Sequence, residues 1–153
     1  METFRLTRKK HSGILSGIGA AIKGARWNSQ GVEIIYTAMN RSLAMAEVAV
    51  HFSLATIPFD FLMMTVFIPD DFPIKTIQEQ DLPDGWNSFP FITSTQQYGD
   101  DFIRENKYCI LKVPSVVTKG DFNILINPYH HEFKKIKITE TEAFPFDMRI
   151  FMQ

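Results

Sequence analysis

Cysteine is almost missing from this chain: Cys109 is the only one in 153 residues. A single thiol excludes any internal disulfide and fits a reducing compartment. Cys109 lies in the apolar run Tyr108-Cys109-Ile110-Leu111, the setting of a buried core thiol. No stretch approaches the roughly 20 apolar residues that cross a bilayer. The nearest, from Phe59 to Pro69, is broken by Asp60 and stopped by Pro69. The N-terminus sets Arg5, Arg8, Lys9 and Lys10 ahead of a glycine-bearing segment, without the continuous apolar region of a secretion signal. A cytoplasmic protein without membrane contact is expected. Charge of one sign is lacking too. The 16 basic and 17 acidic side chains leave a formal charge of -1, too little for the field that draws a protein onto nucleic acid.

What is present is the material of a globular core. Hydrophobic residues make up 45% and charged residues 22%, a soluble globular profile rather than a disordered one. The 14 Phe are the one unusual count. A chain of this length forms one domain, residues 1–153, and buries roughly two thirds of the surface its unfolded form exposes.

Periodicity predicts strands over Thr3–Thr7, Val32–Thr37, Leu62–Ile68, Tyr108–Val113, Phe122–Ile126 and Lys135–Thr139, with a last short one over Met148–Phe151. A helix is predicted from Asn40 or Arg41 to Leu54 with Asn40 as its cap, and a shorter one through Gln96–Ile103 capped by Ser94 or Thr95 and weakened by Gly99. Between Ser12 and Gly24, four glycines and four aliphatic residues suggest a tight, partly buried loop with a short helix. Asp81–Phe91 reads as a surface loop anchored by Trp86. Six or seven strands and two helices in no regular alternation predict an α+β fold with mixed or antiparallel sheets.

Two glycine motifs fail. In Gly17-Ile18-Gly19 the third glycine of a dinucleotide-binding turn would fall at Ile22, and Gly19 and Gly24 have phosphate-loop spacing without the Lys that must follow. The candidate chemistry lies just beyond. Leu43, Glu47, Val50 and Leu54 share a helix face, so Glu47 occupies a position where an aliphatic residue is expected. A carboxylate there is paired with a base, hydrogen-bonded, or held in a functional cleft. Arg26, after the glycine-rich segment and beside Trp27, is either a surface arginine or a clasp for a phosphate or carboxylate. Tyr36 ends a strand as a core, rim or ligand-stacking aromatic. Ser115 follows Val113-Pro114 as a turn or sheet-edge hydroxyl, with no Gly-x-Ser-x-Gly elbow to mark a nucleophile. His130 and His131 fall on opposite sides of an extended chain with no zinc-like spacing, so no metal is expected. The doublets Asp70-Asp71 and Asp100-Asp101 read as solvated charges.

In order, Arg26-Trp27-Asn28 with Gly31, Tyr36, Glu47, Gln97-Tyr98-Gly99-Asp100, Val113-Pro114-Ser115 and Asn123-Ile124-Leu125-Ile126-Asn127-Pro128-Tyr129-His130 resemble the RES domain family over nearly the whole chain. That family is the toxin half of bacterial RES-Xre toxin-antitoxin pairs and is named for an arginine, a glutamate and a serine. Gly24-Ala25-Arg26 departs from it slightly, since a second glycine often precedes the arginine there.

The resemblance implies a fold similar to ADP-ribosyltransferase toxins and the consumption of NAD, cleaved at the nicotinamide-ribose bond so that growth stops. Alternatives are ADP-ribosylation of a host protein or a non-enzymatic binding module. It implies Glu47, Arg26, Tyr36 and Ser115 as catalytic residues, with Arg26, Asn28, Tyr36, Ser115 and Asn127 contacting or supporting NAD. No cofactor beyond NAD as substrate and no metal are implied. The implied partners are an Xre-like antitoxin carrying a DNA-binding domain and a second copy of the chain within the toxin-antitoxin complex. The aromatic segments Pro58–Phe61 and Phe89–Phe91 are either docking surface or core.

Overall fold

A computed structural model describes residues 1–152. Ten regular elements follow in order: β1 (Glu2–Arg8), α1 (Ile18–Lys23), β2 (Ile35–Ala38), α2 (Arg41–Ala49), β3 (Phe61–Phe67), β4 (Ile74–Thr76), α3 (Thr93–Glu105), β5 (Ile110–Pro114), β6 (Phe122–Ile126) and β7 (Lys137–Ala143). The seven strands form one mixed sheet in the order β4-β5-β6-β2-β1-β3-β7, antiparallel except for the parallel β4-β5 pair. The α+β expectation holds.

The central seam of this sheet is its weakest. β1 pairs with β3 along all seven residues, from Glu2 opposite Phe67 to Arg8 opposite Phe61. With β2 it shares a single pair, Phe4 opposite Ala38. That register would set Leu6 against Tyr36, but no ladder pair forms there, and the strands part around a cleft lined by both residues.

Three apolar clusters hold the two halves. Ile35, Cys109, Ile110, Ile124 and Ile126 pack with Val66 and Phe72, while Trp27, Ile34, Phe102, Leu111, Val113 and Leu125 form a separate cluster. Neighbours such as Ile110 and Leu111 therefore bury opposite faces, the reason β5 and β6 read as continuous apolar runs. The third cluster joins Leu43 and Ala44 of α2 to Leu6, Ala38, Phe61 and Met63. Much of the phenylalanine gathers here: Phe61 meets Phe52 and Phe146 edge-on at 5.9 and 5.4 Å, and Phe146 meets Phe144 and Phe151 at 5.4 and 5.5 Å.

Several boundaries differ from expectation. α2 is capped by Asn40, whose Oδ1 accepts the Leu43 N–H at 2.7 Å, but it ends at Ala49. Beyond it His51 and Phe52 bond to carbonyls three residues back, and Ser53 and Thr56 close a local turn that competes with helix. Val50 and Leu54 are consequently 61% and 47% exposed, so the apolar stripe proposed around Glu47 stops short. β2 starts at Ile35 rather than Val32, because the Val32 carbonyl is taken by the Asn28 side chain at 2.9 Å.

α3 begins at Thr93 without the expected side-chain cap; the Thr95 hydroxyl donates to the Ile92 carbonyl instead. Residues 131–135 form a 3-10 turn, delaying β7 to Lys137, and 148–151 form another in place of a last strand, seating Phe151 on Phe146. β4 was not expected. The Ser12–Gly24 segment contains α1 but is more open than predicted, with Ile14, Ile18 and Ile22 exposed. Among the described residues, no helix is long and apolar enough to cross a membrane.

Candidate active site

Arg26 and Asn28 sit on a tight turn closed by the Ala25 N–H bond to the Asn28 carbonyl at 2.9 Å. Asn28 is fully buried and organises the turn from inside. Its Nδ2 donates to the carbonyls of Ala20, Ser29 and Val32, and its Oδ1 accepts the Tyr36 hydroxyl at 2.7 Å. The Tyr36 oxygen in turn accepts the Trp27 N–H at 3.2 Å.

α3 braces this turn from outside. Gln96 Nε2 donates to the carbonyls of Ala25 and Asn28, both at 3.0 Å, and the Asp100 carboxylate accepts the N–H and hydroxyl of Ser29 at 2.9 and 2.5 Å. Between them, a Cβ on Gly99 would stand 1.7 Å from the Trp27 carbonyl oxygen. The Gln97-Tyr98-Gly99-Asp100 segment thus serves the Arg26 turn, and Asp100 is no solvated charge.

The open cleft between β1 and β2 encloses about 170 Å³ and is lined by Phe4, Arg5, Leu6, Tyr36, Ala44, Glu47 and Asn123, among others. Glu47 is half-buried on the α2 wall rather than sunk among aliphatic residues. Its Oε1 accepts Asn123 Nδ2 at 2.7 Å and the Ser115 hydroxyl at 3.1 Å, so of the three alternatives for this carboxylate it is hydrogen-bonded, by two neutral donors, and not paired with a base. Ser115 is buried, and its oxygen also accepts the N–H groups of Val117 and Thr118, each at 3.1 Å.

Arg26 reaches the carbonyls of Trp86 and Ser88, the latter at 2.9 Å, tying its turn to the 83–91 loop, where Trp86 leans on Trp27 at 6.4 Å. Arg5 donates to the Ser16 carbonyl at 3.0 Å. Among the described residues, neither arginine is in an ion pair. Burial lowers the proton affinity of both guanidiniums; for Arg26 the negative charge of Glu47 works against that effect. Burial likewise pushes the Tyr36 phenol well up, helped by Asp100 and Glu47, so it stays neutral.

The structure therefore brings Tyr36, Glu47 and Ser115 together, whereas the Arg26 guanidinium is not part of the cleft lining and is held on the Trp86 and Ser88 carbonyls. Asn28 acts on Tyr36 from within the fold. Asn127 lies elsewhere: it is fully buried four residues beyond Asn123 on an extended chain, roughly 13 Å along the strand direction. There it donates to Asn106 Oδ1 and accepts the Tyr129 N–H, both at 2.9 Å, holding the end of α3.

Sequence reasoning missed Arg5 and Asn123 as cleft residues. Arg5 carried only the signal of a charge alternating with Phe4 and Leu6, and Asn123 only its place in the 123–130 segment. The His130 and His131 rings do not point apart but lie 4.3 Å centre to centre, since the chain turns into a 3-10 helix at His131. With Glu132 they form the one cluster of metal-type donors among the described residues, although His130 Nδ1 already accepts the Glu132 N–H. A larger depression of about 630 Å³, near the start of α3, is lined by Ser29, Thr93, Gln96 and Asp101 and contains none of the cleft residues. The exposed aromatics Phe59 and Phe89, at 88% and 89%, are surface, whereas Phe61 is core.

The family model described as RES domain matches residues 2–147. The chain belongs to the RES domain family. Among relatives of this RES domain, Prs ADP-ribosylating toxin of Sphingobium sp. is 33% identical over 138 residues, 89% of this chain and 86% of the relative. Toxin Res of Yersinia enterocolitica is 31% identical over 152 residues, 98% of this chain and 99% of the relative. In three dimensions the RES domain is similar to a chain in the crystal structure of the M. tuberculosis MbcT-MbcA toxin-antitoxin complex. The TM-score is 0.76 at 17% identity, covering 99% of this chain and 86% of the other, a likeness of fold.

Proposed function

We propose that this RES domain is the toxin of a toxin-antitoxin pair and cleaves NAD at the nicotinamide-ribose bond. The observation that carries the reading is the half-buried Glu47 carboxylate on the wall of a cleft that also holds Tyr36 and Arg5. At about 170 Å³ the cleft is on the scale of the roughly 150 Å³ cavity that admits benzene, a fit for the nicotinamide ring.

The chemistry asks little of such a site. Nicotinamide departs as a neutral molecule from a cationic precursor, taking the electron pair of the breaking carbon-nitrogen bond, so no general acid is required. Positive charge builds on the ribose as that bond breaks, and Glu47 stabilises it, the more strongly in a partly desolvated cleft. Water then forms the new carbon-oxygen bond and releases its proton to solvent, or phosphate takes its place. In this reading the two arginines, unmatched by carboxylates, attract the pyrophosphate, and the neutral Tyr36 ring borders nicotinamide. Ser115 acts through Glu47, because its hydroxyl is already committed there.

The test is to incubate purified protein with NAD under reducing conditions, with and without phosphate, and follow free nicotinamide. Release that disappears in Glu47→Gln supports the reading; no release under any of these conditions overturns it. A second reading, transfer of ADP-ribose to a host protein, is favoured by the name of the Sphingobium relative. Labelled NAD with cell lysate would mark a protein band in that case. An antitoxin partner is supported by the toxin-antitoxin complex that contains the structural neighbour, and the exposed Phe59 and Phe89 are available to such a partner.

A further inference from the structure

We propose that Asn123 is a positioning residue for Glu47: with Ser115 it commits Oε1 to the protein and leaves Oε2 as the oxygen that meets the substrate. The inference rests on the NAD-cleaving reading above. A hydroxyl oxygen has two lone pairs, and those of Ser115 are taken by the N–H groups of Val117 and Thr118. Its own proton is therefore directed outward, to Glu47 Oε1 at 3.1 Å. The Asn123 amide presents its NH₂ to the same oxygen at 2.7 Å, the orientation an ionised carboxylate requires because it can only accept. Two donors occupy the two lone pairs of Oε1. No hydrogen bond among the described residues reaches Oε2.

The clamp is built on rigid parts. Asn123 stands on β6 between two ladders, opposite Ala38 of β2 and Val113 of β5. Ser115 follows β5 directly and is tied by its N–H to the Asp121 carbonyl at 2.9 Å. The start of α2 is anchored to the same β5-β6 connection, since Asn40 Nδ2 donates to Asp121 Oδ1 at 3.1 Å. Three elements thus converge on one carboxylate and determine which oxygen turns to the cleft. In this proposal Asn123 acts through Glu47, and the Ser115 hydroxyl, committed to the same carboxylate, is not the nucleophile.

Asn123→Leu keeps the approximate shape and removes the donor. Because small misplacements of a reacting group cost about 10²-fold, kcat for nicotinamide release should fall by about that factor with KM within twofold of the parent. Ser115→Ala should behave alike, while Ser115→Thr, which keeps the hydroxyl, should restore most of the rate. A folded Asn123→Leu protein with unchanged kcat overturns the proposal, as does a loss expressed in KM alone. The crystal structure of Asn123→Leu judges the clamp without reference to activity. Glu47 should leave Ser115 for another rotamer, and an unmoved carboxylate overturns the proposal even if the parent protein releases no nicotinamide, an outcome that sinks only the functional reading. Should Asn123→Leu fail to fold, the smaller Asn123→Ser replaces it in both measurements.

Discussion

Gly99 of α3 lies directly beneath the Trp27 carbonyl, so close that a Cβ at this position would stand 1.7 Å from the oxygen. Gln96 and Asp100 bond the same turn on either side of that contact. One helix face is therefore shaped to seat the segment that carries Arg26.

Gly99→Ala should force α3 and the turn apart. Overpacking of this kind costs about 1–3 kcal/mol or more, read as a lower urea midpoint, and nicotinamide release should fall with it. A variant as stable and active as the parent would show that the contact yields freely.

Asn28→Ala should destabilise without touching any ligand. It strips hydrogen bonds from three backbone carbonyls and the Tyr36 hydroxyl, and one buried group left unsatisfied costs about 1–3 kcal/mol. Tyr36→Phe, which deprives only Asn28 Oδ1 and the Trp27 N–H, should cost less in the same denaturant experiment.

Glu47→Gln should separate chemistry from folding. The amide oxygen can still accept from Asn123 and Ser115, so the melting temperature should stay close to that of the parent. On the proposed function, in which the Glu47 charge stabilises the developing ribose cation, its loss should lower the release of nicotinamide about 10²–10³-fold. A large drop in melting temperature would instead place Glu47 among the structural residues.

Stability should decline at alkaline pH. Burial pushes the Cys109 thiol up from 9.0 to about 12, so between those values the unfolded chain loses a proton that the folded chain keeps. The raised folded value means that the full stability is present below pH 9 and is lost as pH rises toward 12. Tyr36 adds a decline of the same sign above pH 10. Urea unfolding across pH 8 to 11 should show the slope, and Cys109→Ala should flatten its lower part. At pH 8 the native thiol should resist alkylation.

Arg26→Lys should weaken NAD binding more than it slows bond cleavage. The lysine keeps the charge but cannot reach the Trp86 and Ser88 carbonyls with a planar fork. KM should rise with kcat nearly unchanged, whereas an equal fall in kcat and kcat/KM with KM unchanged would assign Arg26 to the transition state instead.

Much of this molecule was legible in order along the chain. Alternation and apolar runs located β1, β3, β5 and β6 within two residues, and Asn40 marked the start of α2, because these signals depend on neighbours a few residues apart. Element ends were less legible: α2 stops at Ala49 and residues 148–151 coil onto Phe146, outcomes set by a local Ser53-Thr56 turn and by aromatic packing. Sequence singled out Glu47 as an anomaly, but for an incomplete reason, since Val50 and Leu54 of its supposed stripe face solvent.

The order of residues along the chain was enough for the α+β class, the family resemblance and the succession Arg26, Tyr36, Glu47, Ser115. What each of them touches was set by folding. Asn123 reaches Glu47 across 76 positions, Arg5 enters the cleft because β1 and β2 share a single pair, and Asn127 is carried away along β6. A hydrogen bond depends on where a donor and an acceptor meet in space, and local periodicity contains no information about that distance.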